Sequence, residues 1–115
     1  MSKGFGYQYS GTIGHIKGVA QSLPKSSNNL SKSKWTDISH PNQKSAGHYE
    51  YKENATGLKI RFDKGDKNMS GYRGKDHYHI YNPNATSNKD FYLDKNANPV
   101  SKSSTKSHIL PKGDK

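Results

Sequence analysis

Apolar residues recur at helical spacing near the start of the chain. The stripe consists of Ile13, Ile16, Val19, Ala20 and Leu23. Ser10 or Thr12 is available as the N-cap, and Pro24 ends the run, because proline cannot continue a helix. This pattern predicts one short amphipathic helix. The following segment, 24–34, is rich in serine, asparagine and lysine and has no periodicity, which predicts a mobile basic loop.

From Trp35 onward the period changes to two, which predicts β-strands over most of the region 35–113. WTDIS is a short strand, and HYEYKE and LKIRFD form a hairpin across a turn that contains Gly57. DHYHIY is a further strand, ended by Pro83. FYLD and HIL are shorter strands on either side of the NANP turn. A helix followed by an antiparallel sheet makes the fold α+β, with the helix packed on one sheet face.

Strand alternation predicts which side chains share a sheet face. Leu58, Ile60 and Phe62 point to the core, so Lys59 and Arg61 point to the opposite face. The same parity in the neighbouring strands predicts a polar surface, facing away from the core. Its members are His48, Glu50, Lys59, Arg61, His77, His79 and Tyr81.

Composition points to a polyanionic partner. The 115 residues fit a single domain, and 19 Lys+Arg against 9 Asp+Glu give a net charge of +10 and a pI near 9.7. Lysine and arginine that meet phosphates release condensed counterions and so favour nucleic-acid binding. The absence of cysteine excludes disulfides, thiol catalysis and cysteine zinc sites. The sequence has no apolar run of membrane-spanning length, and its first residues, MSKGFGYQYSG, have no apolar core of a signal peptide.

The polar face has the groups that metal-independent RNA cleavage requires. Two of His77, His79, His108 and Glu50 would serve as general acid and general base, and histidine suits both roles near neutral pH. Arg61 and Lys75 would stabilise the charge that develops on phosphorus. The predicted substrate-binding residues are Lys59, Arg73, Thr105, Ser107 and Tyr81. Gly71 and Gly74 would form a flexible lead-in that lets Arg73 and Lys75 reach phosphate.

Two other interpretations of the His-x-His pair remain open. In the first, His77 and His79 ligate a metal ion, with a third ligand from Asp76, His108 or Glu50, as in a metal-dependent nuclease. In the second, both histidines are exposed strand residues. The charged face would then only bind a protein or a nucleic acid.

Four segments carry a resemblance to a known class of proteins. GLKIRFDKG, GYRGKDHYHIYNP, YLDKNANPV and SHILPKG, in this order within residues 47–113, resemble the C-terminal toxin domains of bacterial polymorphic toxins of the contact-dependent growth-inhibition and Rhs types. Such domains are similar to the barnase, EndoU, colicin and RelE group of RNases. The resemblance implies an N-terminal helical part on a twisted antiparallel sheet and a ribonuclease, expected to cut tRNA. The groups of the polar face lead us to expect that cleavage requires no cofactor.

The same resemblance implies partners and a site of action. A cognate immunity protein would inhibit the toxin, and the net charge of +10 leads us to expect an acidic inhibitor over the active face. A host translation elongation factor is a further partner of some related tRNases. The domain would be delivered as the C-terminal part of a secreted or cell-surface effector and would act in the cytoplasm of the target cell.

Overall fold

The computed structural model describes residues 6–111; the predictions for the first five residues and for Lys112 and Gly113 lie outside this range. Its regular elements, in chain order, are α1 Ile13–Ser22, β1 Trp35–Asp37, α2 Pro41–Ser45, β2 His48–Glu53, β3 Lys59–Asp63, β4 His77–Tyr81, β5 Tyr92–Leu93 and β6 Pro99–Val100. Short 3-10 turns lie at Ser27–Asn29, Gly71–Gly74, Asn88–Asp90 and Thr105–Ser107. Among the described residues, no helix is long and apolar enough to cross a bilayer.

The predicted helix forms and is capped as the sequence indicates. The Thr12 side chain accepts a hydrogen bond of 3.0 Å from the backbone N–H of His15, which satisfies one of the free donors of the first turn. Ile16, Val19 and Leu23 are buried. Ile13 is 63% exposed, however, so the apolar stripe begins one turn later than its spacing predicts.

The strands form one six-stranded antiparallel sheet in the order β1-β2-β3-β4-β5-β6, and the sheet is not closed. Each strand therefore pairs with its neighbours in sequence. Gly57, with φ +86°, lies in the β2–β3 hairpin turn, as its freedom at positive φ suits it to do. The helix shares one core with the sheet residues Leu58, Ile60 and Phe62. The α+β prediction, with the N-terminal helix packed on the sheet, is confirmed.

Three details differ from the prediction. The strand after the NANP turn is β6, Pro99–Val100, whereas HIL makes only an isolated bridge between Ile109 and Tyr78. The short helix α2 has no counterpart in the prediction, because five residues are too few for a periodic pattern. The basic segment 24–34 contains a 3-10 turn, and Leu30 within it is buried in the core.

Candidate active site

The site lies on the sheet face opposite α1, where strand register arranges polar residues in two rows. One row runs across β2, β3 and β4 as His48, Asp63 and His77. The next row, two residues along each strand, is Glu50, Arg61 and His79. Directly opposed residues on one face have Cβ atoms about 5 Å apart, so the sheet brings these groups together.

Asp63 is the hub of the first row. It is 5% exposed and accepts hydrogen bonds from His48 Nδ1 (2.7 Å) and from Arg61 Nε and Nη2 (2.8 and 2.7 Å). His77 Nε2 and His79 Nε2 each lie 3.4 Å from its Oδ2. Burial alone would raise the pKa of Asp63, but the bonds from His77, His79 and Arg61 hold it well below its usual range. A permanently ionised carboxylate thus holds one arginine and three histidines in place.

A third histidine joins His77 and His79 above this carboxylate. His108 comes from the C-terminal segment, which two hydrogen bonds of 2.8 Å between the main chains of Tyr78 and Ile109 fix to β4. The ring centroids of His77 and His79 are 5.0 Å apart, and each is 4.8 Å from that of His108. The three imidazoles therefore form one cluster, called here the histidine cluster.

Backbone carbonyls set the direction of two of these rings. His77 Nδ1 donates to the Lys75 carbonyl (2.8 Å), and His108 Nδ1 donates to the Thr105 carbonyl (2.9 Å). A neutral imidazole has one N–H, so Nε2 of His108 carries the lone pair. Burial lowers the pKa of His108, which favours this neutral form. In His77, by contrast, Nε2 also faces an acceptor, the Asp63 carboxylate, at 3.4 Å.

His79 is the most enclosed member of the histidine cluster. It is 4% exposed and stacks on Tyr92 with ring centroids 4.5 Å apart. Burial lowers the pKa of His79, although its contact with Asp63 opposes the shift. Its Nδ1 is buried and has no hydrogen-bond partner among residues 6–111. Tyr72 stacks on His108 at 4.5 Å and covers the cluster from the other side.

The histidine cluster forms part of the wall of a cleft of about 500 Å³. Four lysine and arginine side chains also line this cleft, against the two aspartates Asp63 and Asp66. They are Arg61, Lys64, Arg73 and Lys102. We call this space the histidine cleft; its charge suits a phosphate group.

The structure brings together only some of the residues predicted for the site. His77, His79, His108 and Arg61 meet in the histidine cleft, and Arg73 lies at its exposed rim. Glu50, Lys59 and Tyr81 lie instead in a neighbouring cleft. There Glu50 accepts a hydrogen bond from the Tyr81 hydroxyl.

The other three predicted residues contribute no side chain to the histidine cleft, and two of them contact its histidines through their backbone carbonyls. Lys75 and Thr105 orient histidine rings with their carbonyls, while the Lys75 side chain is exposed and does not line the histidine cleft. Ser107 is fully buried, and its hydroxyl donates to the carbonyl of Ser104 (2.7 Å). The Ser107 side chain is therefore not placed to bind a substrate.

The prediction of a polar surface fails at the centre of that surface, where the residues are buried. His77, His79 and Asp63 are 6%, 4% and 5% exposed. Tyr72 and Tyr92 stack on the histidine cluster, and the segment that carries His108 packs beside it. The interpretation of His77 and His79 as exposed strand residues is therefore wrong.

Sequence reasoning missed Asp63 and did not assign His48 a role. Strand alternation could have placed both residues on the polar face. Asp63 has the same parity as Arg61, and His48 has the same parity as Glu50. Asp63 ends the predicted strand LKIRFD, and the prediction assigned sheet faces only to the five residues before it. Register across three strands, which the sequence does not specify, is what makes it the hub.

The histidine cluster also has the composition of a metal site. One ligand atom from each of its three histidines lies within 4.8 Å of the others. Histidine ligands commonly donate their second ring N–H to a carbonyl, as His77 and His108 do here. Of the third ligands considered from sequence, His108 is at the site. Asp76 accepts a bond from the Gly65 N–H and does not line the histidine cleft.

A scan against protein-family models finds no match for this chain, and searches of curated proteins and of solved structures find none either. The resemblance to polymorphic toxin domains therefore stays a prediction.

Proposed function

We propose that this protein is a ribonuclease that cleaves RNA without a metal ion. The observation that carries the proposal is a pair of neighbouring imidazoles whose ring nitrogens have different hydrogen-bond partners. His108 presents a lone pair at Nε2, and His77 has both nitrogens against acceptors. One imidazole placed to accept a proton and a second placed to donate one, side by side, are the base and the acid that the transfer of a phosphodiester requires.

The reaction follows from these roles. His108 Nε2 removes the proton of a ribose 2′-hydroxyl, and the 2′-oxygen forms a bond to the adjacent phosphorus. The bond from phosphorus to the 5′-oxygen of the next nucleotide breaks, and His77 gives that oxygen the proton of Nε2, the nitrogen that lies 3.4 Å from Asp63. The products are a 2′,3′-cyclic phosphate and a 5′-hydroxyl, so protons and bonds balance.

Arg61 stabilises the negative charge that develops on the phosphate in this reaction. Its guanidinium is held by two hydrogen bonds to Asp63 and lines the histidine cleft, so it is preorganised beside the phosphate position. Arg73, Lys64 and Lys102 add cations that hold the RNA backbone. His79 is a positioning residue, since it is enclosed between Tyr92 and the two other histidines.

The biological setting is proposed on the resemblance and the charge. The substrate would be tRNA, with a translation elongation factor as a possible host partner and an acidic immunity protein as the inhibitor. The net charge of +10 supports both an RNA substrate and an acidic inhibitor. Delivery at the end of a larger effector, and action in the target-cell cytoplasm, belong to the same proposal.

A second candidate function is a metal-dependent nuclease at the same three histidines. The convergence of three ligand atoms within 4.8 Å favours it, as does the unpartnered Nδ1 of the buried His79. In that case the histidines would hold a metal ion that activates a water molecule. The two candidates make opposite predictions for chelators.

The test is RNA cleavage by the purified chain in excess EDTA, with a cell extract added in parallel to supply host factors. We expect cleavage to persist, and His108→Gln and His77→Gln each to lower kcat about 10²-fold to 10⁴-fold, the usual contribution of acid–base catalysis. His40→Gln is the matched control, because His40 is exposed and does not line the histidine cleft. Cleavage that stops in EDTA and returns with a divalent ion would favour the second candidate. No cleavage under any of these conditions would refute both.

A further inference from the structure

A second cleft, of about 370 Å³, lies beside the histidine cleft and has no role in the proposed proton transfers. Its side chains combine aromatic rings with one cation and one carboxylate. They include Tyr7, Tyr81, Phe91, Lys59 and Glu50. We call it the aromatic cleft.

The rings of the aromatic cleft are fixed by the fold. The Tyr7 hydroxyl donates to the Tyr81 carbonyl (2.7 Å) and accepts from the Lys59 N–H (3.0 Å). Phe91 meets Tyr81 edge to face, with centroids 5.6 Å apart. All these aromatic side chains remain partly exposed. Fixed, partly exposed rings are the surfaces on which unpaired bases stack.

Glu50 supplies the polar group of this cleft. Its Oε2 accepts from the Tyr81 hydroxyl, which stays protonated because burial and the Glu50 carboxylate both raise the pKa of Tyr81. A carboxylate has two acceptor oxygens, so this bond leaves Glu50 with further acceptor capacity. It suits the N–H groups on the edge of a nucleobase.

The two clefts share a wall. Tyr81 of the aromatic cleft pairs in register with Tyr92 of the histidine cleft, and their ring centroids are 5.4 Å apart. Lys102, which lines the histidine cleft, places its Nζ 5.0 Å from the Phe91 ring. Glu50 stands directly opposite Arg61 in the sheet. A strand whose phosphate lies at Arg61 therefore places a neighbouring base within reach of the aromatic cleft.

We propose that the aromatic cleft binds one unpaired nucleobase of the RNA strand, stacked on its rings and donating an N–H to Glu50. The occupant is RNA because Lys59 and Lys102 flank the rings and the two clefts adjoin each other across Tyr81 and Tyr92. The choice of RNA rests on the proposed ribonuclease function. Glu50 is then a specificity residue and takes no part in proton transfer.

Binding tests this without cleavage. The full chain with His108→Gln is titrated with short single-stranded RNAs that carry the fluorescent base 2-aminopurine at each position in turn. Stacking quenches this fluorophore, so we expect quenching at one position and its loss in the additional variant Phe91→Leu, which keeps an apolar side chain but removes the ring. RNA that binds with no quenching at any position, or with equal quenching after Phe91→Leu, would overturn the proposal.

Kinetics separate recognition from proton transfer at Glu50. Glu50→Gln keeps an acceptor for Tyr81 and replaces one carboxylate oxygen by a donor. We expect KM to rise about tenfold or more at unchanged kcat. Asp37→Asn, which removes an exposed carboxylate outside both clefts, should leave KM as it is. A fall in kcat of about 10²-fold with KM unchanged would instead make Glu50 the general base.

The two proposals fail separately. If the unsubstituted chain does not cleave RNA but the quenching appears, the aromatic cleft binds a base and the ribonuclease proposal is wrong. If cleavage occurs without quenching, only the base-binding proposal is wrong.

Discussion

Asp63 is the residue on which the proposed chemistry depends most, although it touches no substrate in this account. It is buried, and it contacts Arg61 and three of the histidines. Burying a carboxylate is costly unless charges and hydrogen bonds compensate it. Here they do, so the same contacts that hold Asp63 also fix the proposed acid, His77, and the proposed phosphate-binding cation, Arg61.

Asp63→Asn should therefore lower both stability and activity. The substitution removes the negative charge and turns an acceptor into a donor that faces Arg61 and the histidines. We expect the free energy of unfolding to fall by about 3 kcal/mol. This value is the lower end of the range for a broken buried pair, because the Arg61 side chain is 27% exposed. Urea denaturation followed by the fluorescence of Trp35, the one tryptophan, measures this.

The matched control for this prediction is Asp66→Asn. Asp66 lines the same cleft but is exposed, and the one bond that its side chain accepts from residues 6–111, from the Asn68 N–H, suits asparagine equally well. Its effect should stay within about 0.5 kcal/mol. Equal effects of the two substitutions would show that Asp63 is not the hub described.

Residue types and strand parity made part of the site predictable. The histidine pair, Arg61 and His108 follow from the sequence, since each has a chemistry that stands out in a chain with six histidines and no cysteine. The division of the polar residues between two clefts does not follow. Glu50 and Arg61 are opposite in register, yet the Tyr81 hydroxyl binds the Glu50 side chain in the neighbouring cleft.

At the scale of elements, the connection between β3 and β4 builds one wall of the histidine cleft. It contains the 3-10 turn Gly71–Gly74 and contributes Met69 and Arg73 to the lining. A Cβ on Gly74 would lie 2.3 Å from the Met69 carbonyl oxygen. The expected open, flexible lead-in is thus a closely packed turn at Gly74, and it ends at Lys75, whose carbonyl orients His77.

Gly74→Ala should disturb this wall. The added methyl group must displace backbone, which we expect to cost about 1–3 kcal/mol and to lower kcat by moving the Lys75 carbonyl away from His77. Thermal unfolding and the RNA cleavage assay measure the two effects.

Gly18→Ala is the contrasting substitution for this prediction. A Cβ at Gly18 in α1 meets nothing within 4 Å, so alanine should stabilise the helix by up to about 1 kcal/mol without a change in kcat. If Gly74→Ala is as well tolerated as Gly18→Ala, the turn does not position His77.

The long elements were predictable, and the short ones were not. α1, the β2–β3 hairpin and β4 each carry enough residues to express a period of 3.6 or 2. β5 and β6 have two residues each, and HIL, which reads as a strand, makes a single bridge because it meets β4 only at Tyr78. Such short contacts are decided by tertiary packing rather than by local pattern.

At the scale of the whole molecule, the two faces of the sheet have different roles. One face packs on α1 and forms the core, while the other carries the two clefts and their polar groups. With a net charge of +10, the second face is suited to a polyanion that lies across both clefts. An inhibitor of the proposed ribonuclease would need to cover the same face, where an acidic surface would complement its charge.

The most direct test of the central claim is the chemistry of the RNA ends that the protein leaves. Mass spectrometry of a short RNA cleaved in excess EDTA should find a 2′,3′-cyclic phosphate on one fragment and a 5′-hydroxyl on the other, because His108 activates the 2′-hydroxyl and His77 protonates the departing 5′-oxygen. With His108→Gln the same ends should form at least about 10²-fold more slowly. A 5′-phosphate and a 3′-hydroxyl, formed by an activated water only when a divalent ion is present, would contradict the account.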